Sequence, residues 1–212
     1  MTDREAQREK LIDAVATHAA FDGWTDAALR AAAKDVALDP ALARNAFLGG
    51  AAEMIEFHSR LADRRMVADY EQAASEGLKL REKVALAVRL RLEANYANRE
   101  AIRRALAFLA LPIHAPLAAK ALYRTVDAVW YAVGDRSTDY NFYTKRALLA
   151  GVYSATVLFW LNDKSPGAGD TWAFLDRRIA DVMRVPKALG RLGKLAEKLP
   201  DPFRLLRRRQ AR

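Results

Sequence analysis

Apolar residues recur at helical spacing along nearly the whole chain, and nowhere do they alternate over the length of a strand, so the fold expected is all-α. The breaks in the pattern carry their own punctuation: Asp22-Gly23, Asp39-Pro40, Gly49-Gly50, Gly77, Pro112, Pro116, Gly134-Asp135 and the run Ser165-Pro166-Gly167-Ala168-Gly169. Glycine ends helices because it enters the left-handed region without steric cost, and proline because it lacks a donor for the helical ladder. Between these breaks the spacing predicts helices at about 4–21, 26–37, 40–47, 51–75, 78–95, 98–110, 116–133, 138–162, 170–184 and 187–199, with Ser137 and Asp170 as N-caps. A chain of 212 residues is long enough for one sizeable domain or two small ones, and no stretch reads as a linker or an internal repeat. The boundaries expected are a small head over 1–50, a larger helical domain over 51–184 and a tail over 185–212.

Charge is distributed very unevenly. From Arg184 to Arg212 ten Lys and Arg face only Glu197 and Asp201, a net of +8 out of +9 for the entire chain, so the body is almost neutral. On a helical wheel Val185, Leu189, Leu192, Leu195, Ala196 and Leu199 share one face, and Lys187, Arg191, Lys194 and Lys198 lie opposite, until Pro200 and Pro202 end the pattern. Such a helix lying on an anionic bilayer gains about 1 kcal/mol per near-surface cation as well as burial of its leucines. A last helix packed on the protein's own core with a solvated tail, and attachment to nucleic-acid phosphates, are the alternatives.

Several classes are disfavoured. No run of about 18 uncharged apolar residues is present, so no bilayer-spanning helix is expected. The start, MTDREAQREK, reads as neither a signal peptide nor a transit peptide. With no cysteine there is no disulfide framework, thiolate metal site or cysteine nucleophile, which fits a reducing compartment. No phosphate loop, nucleotide fingerprint, nucleophile elbow or Glu-x-x-His motif occurs. His18, His58 and His114 are scattered in apolar surroundings or beside a proline, where hydrogen-bonded structural histidines are expected. The reading is non-enzymatic, with no cofactor and no metal.

The first fifty residues place a helix ending in Phe21-Asp22-Gly23-Trp24-Thr25, a short helix Leu29–Val36, a turn through Leu38-Asp39-Pro40 and a third short helix to Phe47. This order resembles the helix-turn-helix head of TetR-type regulators, whose third helix enters a major groove. The charges do not suit that task. Residues 1–50 carry six Lys and Arg against eight acids, the third helix offers only Arg44 and Asn45, and Gly50 stands where such heads place a phosphate-binding lysine. The head is read as degenerate, with no nucleic-acid partner; a ligand-sensing transcriptional regulator is the alternative.

The second half holds the most specific blocks: Asp127-Ala128-Val129-Trp130-Tyr131, the run Gly134–Leu149 with Tyr140, Phe142, Tyr143, Lys145 and Arg146 crowded over two turns, Asn162–Pro166, and Asp170–Leu175. Aromatics beside charges suit a protein-binding patch, or Tyr140 and Tyr143 pack inward. With the Leu109-Ala110-Leu111-Pro112 bend and the Phe21–Thr25 block, these residues resemble the accessory lipid-binding family of ubiquinone biosynthesis, TetR-like proteins that assist the hydroxylase acting on demethoxyubiquinone. Phe142 stands where the family often has tryptophan, Val129 where methionine is common, and Gly167 where aspartate is usual.

The resemblance implies an all-α, TetR-like bundle of about ten helices, a homodimer paired through the helices at about 138–162 and 170–184, with an apolar cavity for an isoprenoid quinone precursor or a phospholipid. Leu106, Phe108, Leu109, Leu111, Leu148, Val152 and Phe159 are the candidate lipid-binding residues, with Leu117, Leu122 and Val157 beside them. The hydroxylase is expected to dock on Asp127, Val129, Asp139, Phe142, Tyr143 and Arg146. Lys187, Leu189, Arg191, Leu192, Lys194, Leu195, Lys198 and Leu199 are expected to meet a membrane surface, the protein being cytoplasmic and peripheral to the inner face of a bacterial membrane.

Overall fold

The computed structural model describes residues 3–135 and 140–196. Asp139, Lys198 and Leu199, with the expected cap Ser137, lie outside the described residues, as do the side chains of Phe142, Lys187, Leu189, Arg191, Leu192, Lys194 and Leu195. Among the described residues there are nine α-helices and no strand: α1 (Asp3–Asp22), α2 (Asp26–Asp35), α3 (Pro40–Ala46), α4 (Gly50–Gln72), α5 (Leu80–Glu93), α6 (Arg99–Leu109), α7 (Ala115–Ala132), α8 (Tyr140–Asn162) and α9 (Gly169–Ala196). Short 3₁₀ turns occupy Tyr96–Asn98, Pro112–His114 and Pro166–Ala168.

The sequence explains most of the boundaries. Thr25 caps α2 by accepting from the Ala28 amide, and Asp39 caps α3 by accepting from Ala41 and Leu42, with Pro40 inside the first turn where its missing donor costs nothing. Gly134, at φ 80°, follows the end of α7, where its amide and that of Asp135 turn back to the carbonyls of Tyr131 and Trp130.

Two expectations are corrected here. The helices expected at 170–184 and 187–199 are one backbone, α9, which continues through Pro186 to Ala196. An interior proline removes one rung and costs on the order of 3 kcal/mol, which the remaining rungs of so long a helix absorb. Asp170 is not the cap of α9; it sits within the first turn, where its charge complements the helix dipole. Asp163 and Ser165 do the capping. Asp163 accepts from the Ser165 amide at 2.7 Å, the Thr171 amide at 2.8 Å and the Thr171 hydroxyl at 2.5 Å, and the Ser165 hydroxyl accepts from the Asp170 amide. Burial works to raise the Asp163 pKa, but the hydrogen bonds from Thr171 and Ser165 outweigh it and hold the carboxyl at about 2.

Two cores form. Leu11, Ile12 and Val15 of α1 close over Leu29 of α2, Met54 and Phe57 of α4, and Ala101 and Ala105 of α6. The larger core joins Met66, Val88, Leu92, Val126, Trp160 and Leu175 from α4, α5, α7, α8 and α9. Each fully buried large side chain contributes about 1.5–3 kcal/mol relative to exposure. Helix α6 serves both cores, turning Ala101 and Ala105 to the first and Ile102 and Leu106 to the second. It is fastened through its N-terminal half: the Trp24 indole donates to the Ala101 carbonyl at 2.9 Å, and the guanidinium of Arg99 donates to the carbonyls of Trp160 and Asp163 at the end of α8, with Arg103 on the Leu161 carbonyl at 2.6 Å. Two cations thus take up the orphan carbonyls where the α8 dipole is negative.

Candidate functional site

Small residues on α6 and α7 leave space in the middle of the larger domain. A cavity of about 380 Å³ lies between α4, α5, α6, α7 and α8. Ala105, Ala110, Ala118 and Ala121 face it with only a methyl group each, and Ile102, Leu106, Leu109, Leu122 and Val157 complete an apolar wall. Ala110 and Leu158 also reach solvent, Leu158 being 59% exposed, which places the opening there, next to the exposed Leu111 and Ile113. The volume is at the lower end of the range of about 300–1,000 Å³ typical of small-molecule sites.

The inner end is polar. His58 and Ser59 come from α4, Arg91 from α5, Asn95 from the turn after it, Thr125 from α7 and Tyr153 from α8. Asp63 organises them. Its Oδ1 accepts from Arg91 Nε at 2.8 Å and the Thr125 hydroxyl at 2.8 Å, and its Oδ2 from Arg124 Nε at 3.0 Å. Arg91 donates further through Nη1 to the Tyr153 hydroxyl at 2.5 Å and through Nη2 to Ser59 Oγ at 3.2 Å and Thr125 Oγ1 at 3.3 Å. Burial opposes the Arg91 charge, but Tyr153 and Asp63 outweigh it and raise its pKa above the ordinary arginine value. Burial raises the Tyr153 pKa, so this hydroxyl stays protonated.

His58 stands apart in this group. It is only 9% exposed, lies on the cavity wall and packs on Trp24 with ring centroids 5.2 Å apart, and among the described residues neither ring nitrogen finds a hydrogen-bond partner. Burial, followed by the charge of Arg91, lowers its pKa from 6.5 to about 4, so the ring is neutral near pH 7. From sequence all three histidines are expected to be hydrogen-bonded structural groups. That holds for His18, which meets Asp35 at 2.6 Å, while His114 stacks on Phe108 at 3.9 Å. His58, in contrast, has no hydrogen-bond partner among the described residues and faces the cavity.

Of the candidate lipid-binding residues, Leu106 and Leu109 line the cavity, as do Leu122 and Val157. Phe108 stacks on His114, Leu111 is 52% exposed, Val152 is buried in the larger core, Phe159 stacks on Phe174 at 4.6 Å, and neither Leu148 nor Leu117 reaches the wall. Val129 is corrected as a docking residue: it is 1% exposed, on the side of α7 that packs into the larger core. Tyr143 is 70% exposed, with Tyr131 and Tyr123 also outward on α7. Arg146 is mostly buried and grips Asp127 through Nη2 at 2.6 Å and Nε at 2.9 Å, which fixes α8 against α7 beneath these rings. Among the described residues no group of three or more His, Asp or Glu side chains converges to hold a metal ion, and no single helix is long and apolar enough to cross a membrane.

A family model described as COQ9 matches residues 115–186, the stretch that carries α7, α8 and most of α9. The chain is similar to the mitochondrial ubiquinone biosynthesis protein COQ9 of Rattus norvegicus, 32% identical over 189 residues covering 85% of this chain and 60% of the rat protein. It resembles the protein of the same name from Homo sapiens, 31% identical, covering 85% of this chain and 59% of that one, and COQ9-B of Xenopus laevis, 39% identical over 111 residues, covering 52% and 38%. The chain therefore spans about three-fifths of the length of the rat and human relatives. Among solved structures, a TetR transcriptional regulator from Nitrosomonas europaea ATCC 19718 superposes with a TM-score of 0.69 at 25% identity, covering 84% of this chain and 98% of that one. The fold is all-α and TetR-like.

Proposed function

Because the chain belongs to the COQ9 family, we propose that it serves ubiquinone biosynthesis as a non-catalytic lipid-binding protein that takes an isoprenoid quinone precursor from the membrane and presents it to the demethoxyubiquinone hydroxylase. The observation that carries this reading is the cavity: an apolar enclosure opening beside exposed leucines and closed at its inner end by hydrogen-bonding groups. An amphiphile with one oxygenated end and a long hydrocarbon tail matches that polarity. Native mass spectrometry of the freshly purified chain tests it, with retained isoprenoid lipid expected. Purification without lipid and failure to take up added quinone refute it.

The remaining parts follow from the same reading. The exposed Tyr143 and Tyr131, backed by the Asp127–Arg146 pair, form the docking face for the hydroxylase together with Asp139 and Phe142. The basic, leucine-rich segment after Met183 rests on anionic headgroups, so the protein is peripheral, on the cytoplasmic face of a bacterial membrane. A chain ended after Met183 is expected to lose sedimentation with anionic vesicles. Undiminished sedimentation rejects the interfacial role of the segment. The chain acts as a homodimer paired through α8 and α9, where Phe159 offers exposed apolar area. The acidic balance of the head and the lack of a phosphate-binding lysine at Gly50 argue against duplex binding.

A further inference from the structure

Three groups on the cavity wall keep hydrogen-bonding capacity that no other described residue uses. His58 has a ring with no partner on either nitrogen. Asn95, 7% exposed, donates its amide to the Arg91 carbonyl at 2.9 Å and leaves its Oδ1 without a donor. Tyr153 accepts from Arg91, and its own hydroxyl proton finds no acceptor among the described residues. Facing the cavity, these three together offer both donors and acceptors in an otherwise apolar chamber.

Resting on the reading that the cavity holds an isoprenoid lipid, we propose that His58, with Asn95 and Tyr153, recognises the ligand's head, and that this head is an uncharged oxygen-bearing ring, a phenol or quinone, rather than a phosphate. An anion is disfavoured by the charges already present. The fixed cation on the wall, Arg91, has every nitrogen engaged by Asp63, Tyr153, Ser59 or Thr125. Arg124 does carry an unpaired buried Nη2, but Arg124 is not part of the cavity wall. A phosphate seated here would lose its water, meet no free cation and lie near the Asp63 carboxylate. A neutral ring with carbonyl and hydroxyl oxygens satisfies the three groups without importing charge. Ile102, Leu106, Leu109, Leu122 and Val157 then accept the tail on its way to the opening.

The test titrates the full chain with three probes sharing one tail: a decyl-substituted methoxybenzoquinone, decyl phosphate and decane, followed by tryptophan fluorescence. The quinone is expected to bind more tightly than either of the others. His58→Phe, which keeps an aromatic ring against Trp24, is expected to weaken the quinone about three- to tenfold, the worth of one neutral hydrogen bond, and to leave decane unchanged. His58→Gln, which restores a donor and an acceptor, is expected to recover most of that loss. An unchanged quinone affinity in His58→Phe, or decyl phosphate binding as tightly as the quinone, overturns the proposal. If decane binds and the quinone binds no better, the lipid cavity stands and head recognition falls; if neither binds, both fall. Nitrogen NMR of the unaltered chain provides a measurement that needs no variant. The His58 ring resonances are expected to move with quinone and not with decane, with His18 and His114 as internal controls, and a His58 signal unmoved by quinone also overturns the proposal.

Discussion

Acid titration of His58 puts a magnitude on its burial. In the folded chain the desolvated ring, next to Arg91 and only partly compensated by Asp13 before Arg65 adds a further repulsion, protonates near pH 4 instead of 6.5. The unfolded chain takes up that proton as the pH falls below 6.5, whereas the folded chain does not until about 4, so stability is lost progressively across this window and not above it. At about 1.4 kcal/mol per pH unit the loss amounts to roughly 3 kcal/mol by pH 4, or on the order of 6–12 °C in Tm for a domain of this size. Carboxylates titrating in the same range contribute equally to wild type and to His58→Phe, so the difference between the two isolates the histidine. Thermal melts between about pH 7.5 and about pH 4 are expected to show wild type falling by that amount more than the variant. Parallel curves refute the argument, and would mean that the ring protonates in place, with water reaching it.

Asp63→Ala removes the carboxylate that pairs with Arg91 and Thr125, and leaving a buried guanidinium uncompensated is expected to cost about 3–5 kcal/mol in urea denaturation. Replacing Arg91 with Met together with Asp63→Leu is expected to recover part of that, because the buried Asp63–Arg91 pair is removed whole while Arg124 keeps only Glu56. Ala121→Phe places a ring in the cavity and is expected to abolish lipid retention in native mass spectrometry while leaving the melting temperature within a few degrees. Tyr143→Lys is expected to keep the helical circular dichroism and weaken capture of the hydroxylase, whereas Val129→Lys, which buries a charge in the larger core, is expected to unfold the domain.

The helices were legible because their signals are local. Thr25, Asp39 and Pro40 act on the neighbouring turn, and apolar spacing on α6 pointed to Leu106 and Leu109. The same spacing does not tell a pocket wall from a core, which is why Val152, equally apolar, packs against its neighbours instead. Val129 was misplaced because the aromatic run around it points outward at Tyr131, and only the tertiary packing of α7 decides which side is covered. The polar end of the cavity escaped altogether. Its members meet across 28 residues from Arg91 to Asp63, 34 to Thr125 and 62 to Tyr153, and no motif at fixed short spacing links them. The one available hint was an apolar surrounding for His58, which fits a satisfied histidine just as well.

The Asp63–Arg91 knot ties four helices together behind the polar wall of the cavity, so a guest bound ring foremost, as proposed above, meets a braced wall there. A guest that goes in ring foremost has to back out, its tail leading, and cannot be passed through from one side to the other. Whatever receives it must either draw the whole molecule back over the threshold beside Leu158 or pry the helices apart. For the proposed guest, a tighter hold on the ring is expected to slow its transfer, and loosening that grip to hasten transfer even as it weakens storage.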